Sequence, residues 1–133
     1  MTDEEKLALA RRFLSVLRQP DPEAVKNTVT DDVVWSFPGH GAISGEARGV
    51  EGVIARAQII AGFGVKVEVI RAVYSLNGVA IILHNTASRG THILDEHIAA
   101  VFSFRGDRIS RVDTFLSDVA MAEAFFVKDN VPS

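Results

Sequence analysis

The 133-residue sequence contains no cysteine, and its charges show little excess of either sign. Without cysteine there can be neither a disulfide nor thiolate chemistry, so the fold does not depend on an oxidising compartment. The 14 basic and 17 acidic residues give a net charge of −3 and are interspersed along the chain. Because no basic run marks a nucleic-acid-binding face, we expect no nucleic-acid partner.

A long hydrophobic run is missing as well. The longest uncharged, apolar-rich stretch covers residues 72–88 and is interrupted by Asn77 and Gly78, so it falls short of a membrane span. The N-terminus begins with acidic residues and continues as an amphipathic segment, which is the reverse of a signal peptide. We therefore expect a cytoplasmic protein with no membrane partner.

The length suits one domain, because a chain of this size buries enough surface for a single core. We predict one domain over residues 1–133. The first of four predicted helices begins at a capping-box pattern of Thr2 and Glu5 and is stopped by Pro20. The others cover residues 22–28, 50–60 and 119–126.

Alternation with a period of two predicts strands in much of the remaining chain. The strands cover residues 33–37, 65–75, 79–88, 93–105 and 108–116. Asp31 and Asp32 mark a turn before the first strand, and hairpin turns join the last four. Helices followed by a long antiparallel meander predict an α+β fold, with the helices on one face of a curved sheet.

Residues 33–49, VVWSFPGHGAISGEARG, combine a strand with a glycine-rich loop. Trp35 and Phe37 lie on one face of the strand, and the loop follows them at once. Two large rings in this position indicate either the wall of a pocket or solid core packing.

The order of elements, with DDVVWSFPG, the ISG turn, FSFRGDRISRV and a closing D…A…FF helix, resembles one known family over nearly the whole chain. It is similar to the SnoaL-like branch of the superfamily of nuclear transport factor 2 and ketosteroid isomerase. The resemblance implies a cone-like fold, in which a curved antiparallel sheet wraps around three to four helices and encloses a deep pocket. Trp35 and Phe37 would then point into the cone, and the glycine loop would form part of its rim.

The resemblance also implies what this chain does not catalyse. Ketosteroid isomerases use a tyrosine, a general-base aspartate and an oxyanion-binding aspartic acid, and these positions align with Phe13, Phe37 and Ala100. Moving a proton at carbon requires a carboxylate and donors aimed at the enolate oxygen, which these side chains cannot supply. We expect no steroid-isomerase activity.

The same alignment and strand alternation predict which side chains face the pocket. Ala87 and Ser110 share this inward direction. The predicted ligand-binding residues are Phe13, Trp35, Phe37, Leu83, Asn85, Ile98, Ala100, Phe102, Val112, Thr114 and Leu116, and the predicted catalytic residue is Glu96. A mostly apolar wall with a few polar groups suits a small apolar ligand.

Each polar candidate has two interpretations. Glu96 is either a general base whose pKa is raised by apolar neighbours or a solvated carboxylate near the strand's exposed end. Asn85 and Thr114 either orient a ligand carbonyl or make structural hydrogen bonds. His40, in the glycine loop, either covers the pocket mouth or is solvated.

Other ionisable residues are predicted to face away from the pocket. Asp95 and His97 share a strand face, but the alternation that turns Ala100 inward turns both outward. Arg111 and Asp113 fall on the same outer face, where members of the superfamily commonly meet a second subunit. We expect a homodimer, and because no trio of ligands has metal-site spacing we expect neither a metal nor a cofactor.

Three functional hypotheses remain. In the first, a SnoaL-like protein binds a small apolar molecule such as a polyketide-like, terpenoid or aromatic compound, either without changing it or as a cyclase, isomerase or hydrolase. In the second, a non-catalytic homodimeric module has a closed cavity or uses it for binding alone. The third, an epoxide-hydrolase-like reaction, is disfavoured because the carboxylate of the related limonene enzymes aligns with Thr114, which cannot activate water by itself. The sequence leaves open whether any reaction is catalysed.

Overall fold

The computed structural model describes residues 1–127, so residues 128–133 of the predicted domain lie outside the described part. Four helices and six strands follow one another along the chain. The helices are α1 (Asp3–Val16), α2 (Pro22–Thr28), α3 (Gly49–Gly62) and α4 (Val119–Phe125). The strands are β1 (Val29–Phe37), β2 (Gly45–Arg48), β3 (Lys66–Tyr74), β4 (Gly78–Arg89), β5 (His92–Arg105) and β6 (Arg108–Leu116).

The helix starts follow from capping chemistry. The Thr2 hydroxyl accepts a hydrogen bond from the Glu5 N–H at 3.1 Å, and the Glu5 carboxylate accepts one from the Thr2 N–H at 2.9 Å. This reciprocal pair satisfies two backbone donors at the start of α1. Asp21 caps α2, and Pro22 occupies the first turn, where its missing N–H costs nothing.

The six strands form one curved, open sheet in the order β2-β1-β6-β5-β4-β3. Strands β3 to β6 form the predicted antiparallel meander. The predicted curved sheet is present, but it is mixed rather than purely antiparallel, because β1 pairs with β6 in parallel. This arrangement places the first strand, with its two rings, beside the last strand of the meander.

Two local predictions also differ from the structure. Asp31 and Asp32 lie inside β1 rather than in a turn, since the register of β1 against β6 is irregular between Val29 and Val34 and accommodates them. The Asp32 carboxylate accepts hydrogen bonds from Arg105 and from the Thr30 hydroxyl. The end of the glycine loop forms a short strand, β2, that pairs with β1 and was not predicted.

The core lies between the helices and one face of the sheet. Phe13 of α1, Val53 of α3 and Phe125 of α4 are buried against inward-facing strand residues such as Val33 and Phe102. Among residues 1–127 no helix has both the length and the apolar character required to cross a bilayer. The buried residues of the helices and of the inner sheet face form one apolar core, and the space left between these layers contains the candidate site.

Candidate ligand-binding pocket

A mostly apolar cavity lies between the helices and the inner face of the sheet. The cavity volume is about 50 Å³, which is room for about three to five waters at roughly 10–15 Å³ each. It is about a third of the 150 Å³ of an engineered cavity that binds benzene. A ligand of more than a few heavy atoms therefore requires the wall to move.

The structure places all but one of the predicted site residues in the cavity wall. They are Phe13, Trp35, Phe37, Leu83, Asn85, Glu96, Ile98, Ala100, Phe102, Val112 and Thr114. The positions aligned with the three catalytic groups of the ketosteroid isomerases thus border the same cavity. Two of them present phenyl rings and the third presents a methyl group, so no proton-transfer group occupies these positions.

Leu116 does not line the cavity, and this part of the prediction is wrong. It is the last residue of β6 and borders a shallow outer groove with Pro38 and Val119. The inward direction that alternation predicts for Leu116 is correct, but the cavity ends before β6 does.

The prediction that Ser110 faces inward is wrong, because the register shifts near Ser103 and the Ser110 hydroxyl donates to the Ser103 carbonyl. Ala87 is half-buried and lies outside the cavity wall.

Sequence reasoning missed further residues of the cavity wall, which come from helices, loops and strands. The additional wall residues are Leu14, Leu17, Ile43, Ile60, Val65, Val67, Leu94 and Phe126. Leu14 and Leu17 recur at helical spacing after Ala10, and this periodicity is the only sequence signal that points to them. Ile43 and Phe126 come from the glycine loop and the end of α4, whose packing no local pattern reveals.

An edge-to-face cluster of rings forms one wall. The Phe13 ring lies 5.3 Å from the Trp35 ring and 5.7 Å from the Phe102 ring, between centroids, and both pairs are T-shaped. The Trp35 indole Nε1–H donates to the Thr114 hydroxyl at 3.0 Å. Since a buried indole N–H requires an acceptor, this bond fixes Trp35 and gives Thr114 the structural role that was one of its two interpretations.

Arg56 supports this wall from behind. Its guanidinium donates to the Trp35 carbonyl at 2.7 Å and to the Gly45 carbonyl at 3.1 Å, and it lies 5.1 Å from the centroid of the Trp35 ring. Arg56 is 7% exposed, and burial lowers the pKa of its guanidinium. These contacts tie α3 to the glycine loop and hold the indole in a cation–π contact. Nothing in the sequence distinguishes Arg56 from a surface cation.

Glu96 is the buried ionisable group of the cavity. It is 2% exposed, and neither carboxyl oxygen makes a hydrogen bond of ordinary length to a described residue. Burial first, and then the nearby Asp118 carboxylate, raise its pKa to about 7, while a weaker hydrogen bond from the Asp118 backbone N–H partly opposes the shift. A solvated carboxylate, the second interpretation of Glu96, does not fit this geometry. The arrangement is that of a carboxyl able to release and regain a proton near neutral pH.

Asn85 is the second polar group at this end of the cavity. It lies directly opposite Glu96 in the antiparallel pair of β4 and β5. Its side-chain oxygen is buried and accepts no hydrogen bond from a described residue. The Asn85 and Glu96 side chains are therefore neighbours on the inner face of the sheet, at about 4.5–5.5 Å between Cβ atoms for such a pair.

The glycine loop packs tightly on α4. Gly39 has φ +95°, and an added Cβ would lie 3.0 Å from Val119 and 3.1 Å from Glu123. The Glu123 carboxylate accepts a hydrogen bond from the His40 N–H at 2.8 Å. His40 itself is exposed, which fits the solvated interpretation of its side chain. The loop and α4 thus form one cover, which brings Ile43 and Phe126 over the cavity.

A cluster of two histidines and one aspartate lies on the outer face of the sheet. The prediction that Asp95 and His97 face outward agrees with their exposure. Sequence reasoning missed His84, whose Nε2 lies 2.6 Å from Asp95 Oδ1 and whose ring stacks on His97 with centroids 4.8 Å apart. Among residues 1–127 no group of three or more His, Asp or Glu side chains has the arrangement of a metal site.

Arg111 and Asp113 lie on the same outer face, as predicted. The Arg111 Nε–H donates to both oxygens of Asp113 at 3.0 Å, and the Ser36 hydroxyl donates to Asp113 at 2.6 Å. These side chains form a surface network that runs from β1 to β6 and does not reach the cavity.

Comparison with known proteins assigns the chain to a family. The family model described as the SnoaL-like domain matches residues 10–112. An uncharacterised protein of Mycobacterium tuberculosis is 31% identical over 130 residues, which cover 95% of this chain and 99% of that protein.

Solved structures agree on the fold. Bal32a, from a soil-derived mobile gene cassette, has a TM-score of 0.82 at 24% identity over 92% of this chain and 97% of its own. An NTF2-like protein from Burkholderia xenovorans has a TM-score of 0.80 at 16% identity over 93% and 98%. TerC, co-crystallised with polyporic acid, has a TM-score of 0.74 at 15% identity over 90% and 96%. These similarities confirm the predicted α+β cone fold, and the family model, which matches more than half of the chain, shows that the chain belongs to the SnoaL-like domain family.

Proposed function

We propose that the cavity binds a small apolar molecule and that Glu96 exchanges a proton with it. The observation that carries the proposal is the Glu96 carboxyl, which is buried at an apolar cavity, makes no hydrogen bond of ordinary length to a described residue and has a pKa raised to about 7. A general acid or base is most effective when its pKa lies near the working pH.

A structural neighbour supports an organic molecule as ligand. TerC was co-crystallised with polyporic acid. In this chain the wall consists mainly of aliphatic and aromatic side chains. Such a wall with a few polar groups favours an apolar ligand that is held by shape and oriented by one polar contact.

The proposed proton transfer differs in position from that of the ketosteroid isomerases. Glu96 lies four residues before Ala100 on the same strand, which is about 13 Å away at roughly 3.3 Å per residue. Chemistry in this pocket would therefore take place at the Glu96–Asn85 end rather than beside Phe37. The reaction class that fits is proton removal next to a carbonyl: the C–H bond breaks, Glu96 takes the proton, and the Asn85 amide N–H donates to the enolate oxygen.

Deuterium exchange at carbon tests this proposal. Cyclopentanone is small, apolar and carries exchangeable hydrogens beside its carbonyl, so NMR in D2O at pH 8 follows their loss. We expect wild-type protein to accelerate the exchange over buffer and Glu96→Gln to abolish the acceleration. Glu68→Gln, at an exposed position on β3, is the matched control and should retain it. Equal acceleration by wild type and Glu96→Gln would refute the role of Glu96.

Binding is tested separately through Trp35, which is the sole tryptophan of the sequence and lines the cavity. An apolar molecule that enters the cavity should change the indole fluorescence in wild type and in Glu96→Gln alike. If cyclopentanone at millimolar concentration leaves the fluorescence unchanged, the binding half of the proposal fails.

The small cavity favours a second candidate function, a module that binds or assembles without catalysis. The approximately 50 Å³ of free space leaves little room for a substrate unless the wall moves. Fluorescence changes without any Glu96-dependent exchange would support this alternative. The cytoplasmic location remains a prediction under either function.

The homodimer is part of both candidate functions. Phe115 is 59% exposed on the outer face of the sheet, and across the strands it lies opposite Ala99, which lies opposite Ile82. This apolar strip within a charged face suits a second copy of the chain. Light scattering should report twice 14.4 kDa. Phe115→Glu should yield monomers, whereas Leu76→Glu, at an exposed turn residue away from the strip, should not.

A further inference from the structure

Three buried oxygen atoms at one end of the cavity make no hydrogen bond of ordinary length to a described residue, and the Asp118 backbone N–H makes only a weaker contact with Glu96. The three oxygens are Oδ1 of Asn85 and both carboxyl oxygens of Glu96. The two residues are direct partners across β4 and β5 and both line the cavity. Buried acceptors of this kind are normally paired, so a cluster of three beside a cavity points to a donor that comes from outside the chain.

No cation among the described residues balances this end of the cavity. The described residues of the cavity wall include no lysine, arginine or histidine. Arg56, behind the aromatic wall, directs its guanidinium to the backbone carbonyls of Trp35, Ser44 and Gly45. The charged group that faces Glu96 from another element is Asp118, at the start of α4, and it is also a carboxylate. An anionic ligand would therefore meet repulsion and find no counter-charge.

We infer that the ligand carries a hydrogen-bond donor, a hydroxyl or a protonated amine, at its Glu96–Asn85 end, and that it carries no anionic group. This inference rests on the proposed function, since it concerns the molecule that fills the same cavity. The rest of the ligand is apolar, because the remaining wall consists mainly of hydrocarbon surface.

The two donor classes predict different effects of pH. A protonated amine pairs with the ionised carboxylate, so its affinity should rise as Glu96 loses its proton between pH 6 and 8. A hydroxyl can donate to either protonation state of Glu96, so its affinity should change little over the same range. The pH profile thus identifies the donor, while the preference for a donor over an anion tests the inference itself.

A panel with one common skeleton provides the test. Methylcyclopentane, cyclopentylmethanol, cyclopentylmethylamine and cyclopentylacetate share a ring that does not absorb near the tryptophan band, so Trp35 fluorescence reports binding of each at pH 8. We expect the alcohol, the amine or both to bind at least tenfold more tightly than the hydrocarbon, since a hydrogen bond to a charged group is the stronger kind. The carboxylate should bind no more tightly than the hydrocarbon.

Variants separate this preference from general binding. Glu96→Leu removes two of the three acceptors and should retain binding of the hydrocarbon while losing the tenfold preference. Glu68→Leu, at an exposed position on β3, should retain both. Glu96→Gln serves if the leucine variant does not fold, and in it the amine should lose its advantage because the negative charge is absent.

The outcomes distinguish failure of the donor preference from failure of the proposed binding function. Hydrocarbon binding as tight as that of the alcohol and the amine, the tightest binding by the carboxylate, or a preference that persists in Glu96→Leu would each overturn the inference while leaving the proposed pocket in place. Failure of all four compounds to bind would overturn the proposed binding function and, with it, the inference.

Discussion

Replacing Glu96 by glutamine should change how the stability of the protein depends on pH. The carboxyl has an ordinary pKa of 4.5 and a pKa of about 7 in the fold. The difference corresponds to about 3 kcal/mol of unfolding free energy, at about 1.4 kcal/mol for a tenfold change in proton affinity. Glutamine has nearly the same size but does not titrate, so the difference between the two proteins isolates this one group.

The sign follows from which state holds the proton more tightly. Because the folded pKa is the higher one, the folded protein binds this proton more strongly than the unfolded chain does. Ionisation therefore costs the fold nothing below pH 4.5, an increasing amount between pH 4.5 and 7, and the full amount of about 3 kcal/mol above pH 7. Relative to Glu96→Gln, the wild type should lose that amount of stability as the pH rises from 4.5 to 8.

Urea unfolding at pH 4.5, 6, 7 and 8 measures this difference. Titrating groups that do not interact with Glu96 contribute equally to both proteins and cancel when the two curves are subtracted; Asp118, which does interact with it, belongs to the measured difference. Glu68→Gln, at an exposed position on β3, is the control and should follow the wild type at every pH. A constant difference between Glu96→Gln and wild type over this range would refute the burial argument on which the site depends.

Three further predictions concern the pocket wall, its cover and the excluded chemistry. Phe37→Ala should lower the unfolding free energy by about 3–5 kcal/mol, as measured in urea, if the cavity cannot collapse; a loss below 1 kcal/mol would mean that the wall repacks. Gly39→Ala should destabilise by more than about 1 kcal/mol, because an added Cβ would lie 3.0 Å from Val119 at φ +95°. Gly90→Ala, with a positive φ but open space, should cost less in the same titration. The protein should not shift the double bond of a 5-ene-3-ketosteroid above a protein-free control, and turnover lost in Glu96→Gln would show that another carboxyl position serves that reaction.

Most helices and strands could be predicted because each has a pattern within its own residues. The capping pair of Thr2 and Glu5 and the alternation in residues 92–105 are visible in the sequence alone, and the structure reproduces both. β2 was missed because Gly45–Arg48 is too short to alternate and becomes a strand only by pairing with β1. The parallel pairing of β1 and β6 joins opposite ends of the chain, which no local pattern encodes.

The sequence predicted which side chains face the cavity, but not how deeply they are buried or how large the cavity is. Alternation turned Glu96 inward, yet its burial depends on α4, whose start is bonded to β5 through Ser117 and His97. Arg56 could not be recognised because its burial depends on the backbone carbonyls of Trp35 in β1 and Gly45 at the start of β2, which only the tertiary fold brings to it. The size of the cavity depends on how Phe126 and the glycine loop close over it, and that is a property of tertiary packing.

The most direct test of the central claim is a carbon-13 NMR titration of the Glu96 side-chain carboxyl, assigned by comparison with Glu96→Gln. A carboxyl in an apolar pocket predicts a midpoint near pH 7, in accord with its raised pKa of about 7. Saturating cyclopentanone should move that midpoint, because the ligand replaces the surroundings of the carboxyl. A midpoint near the ordinary value of 4.5, or one that the ligand leaves unchanged, would contradict the claim that Glu96 is the proton-exchanging group of a ligand-binding pocket.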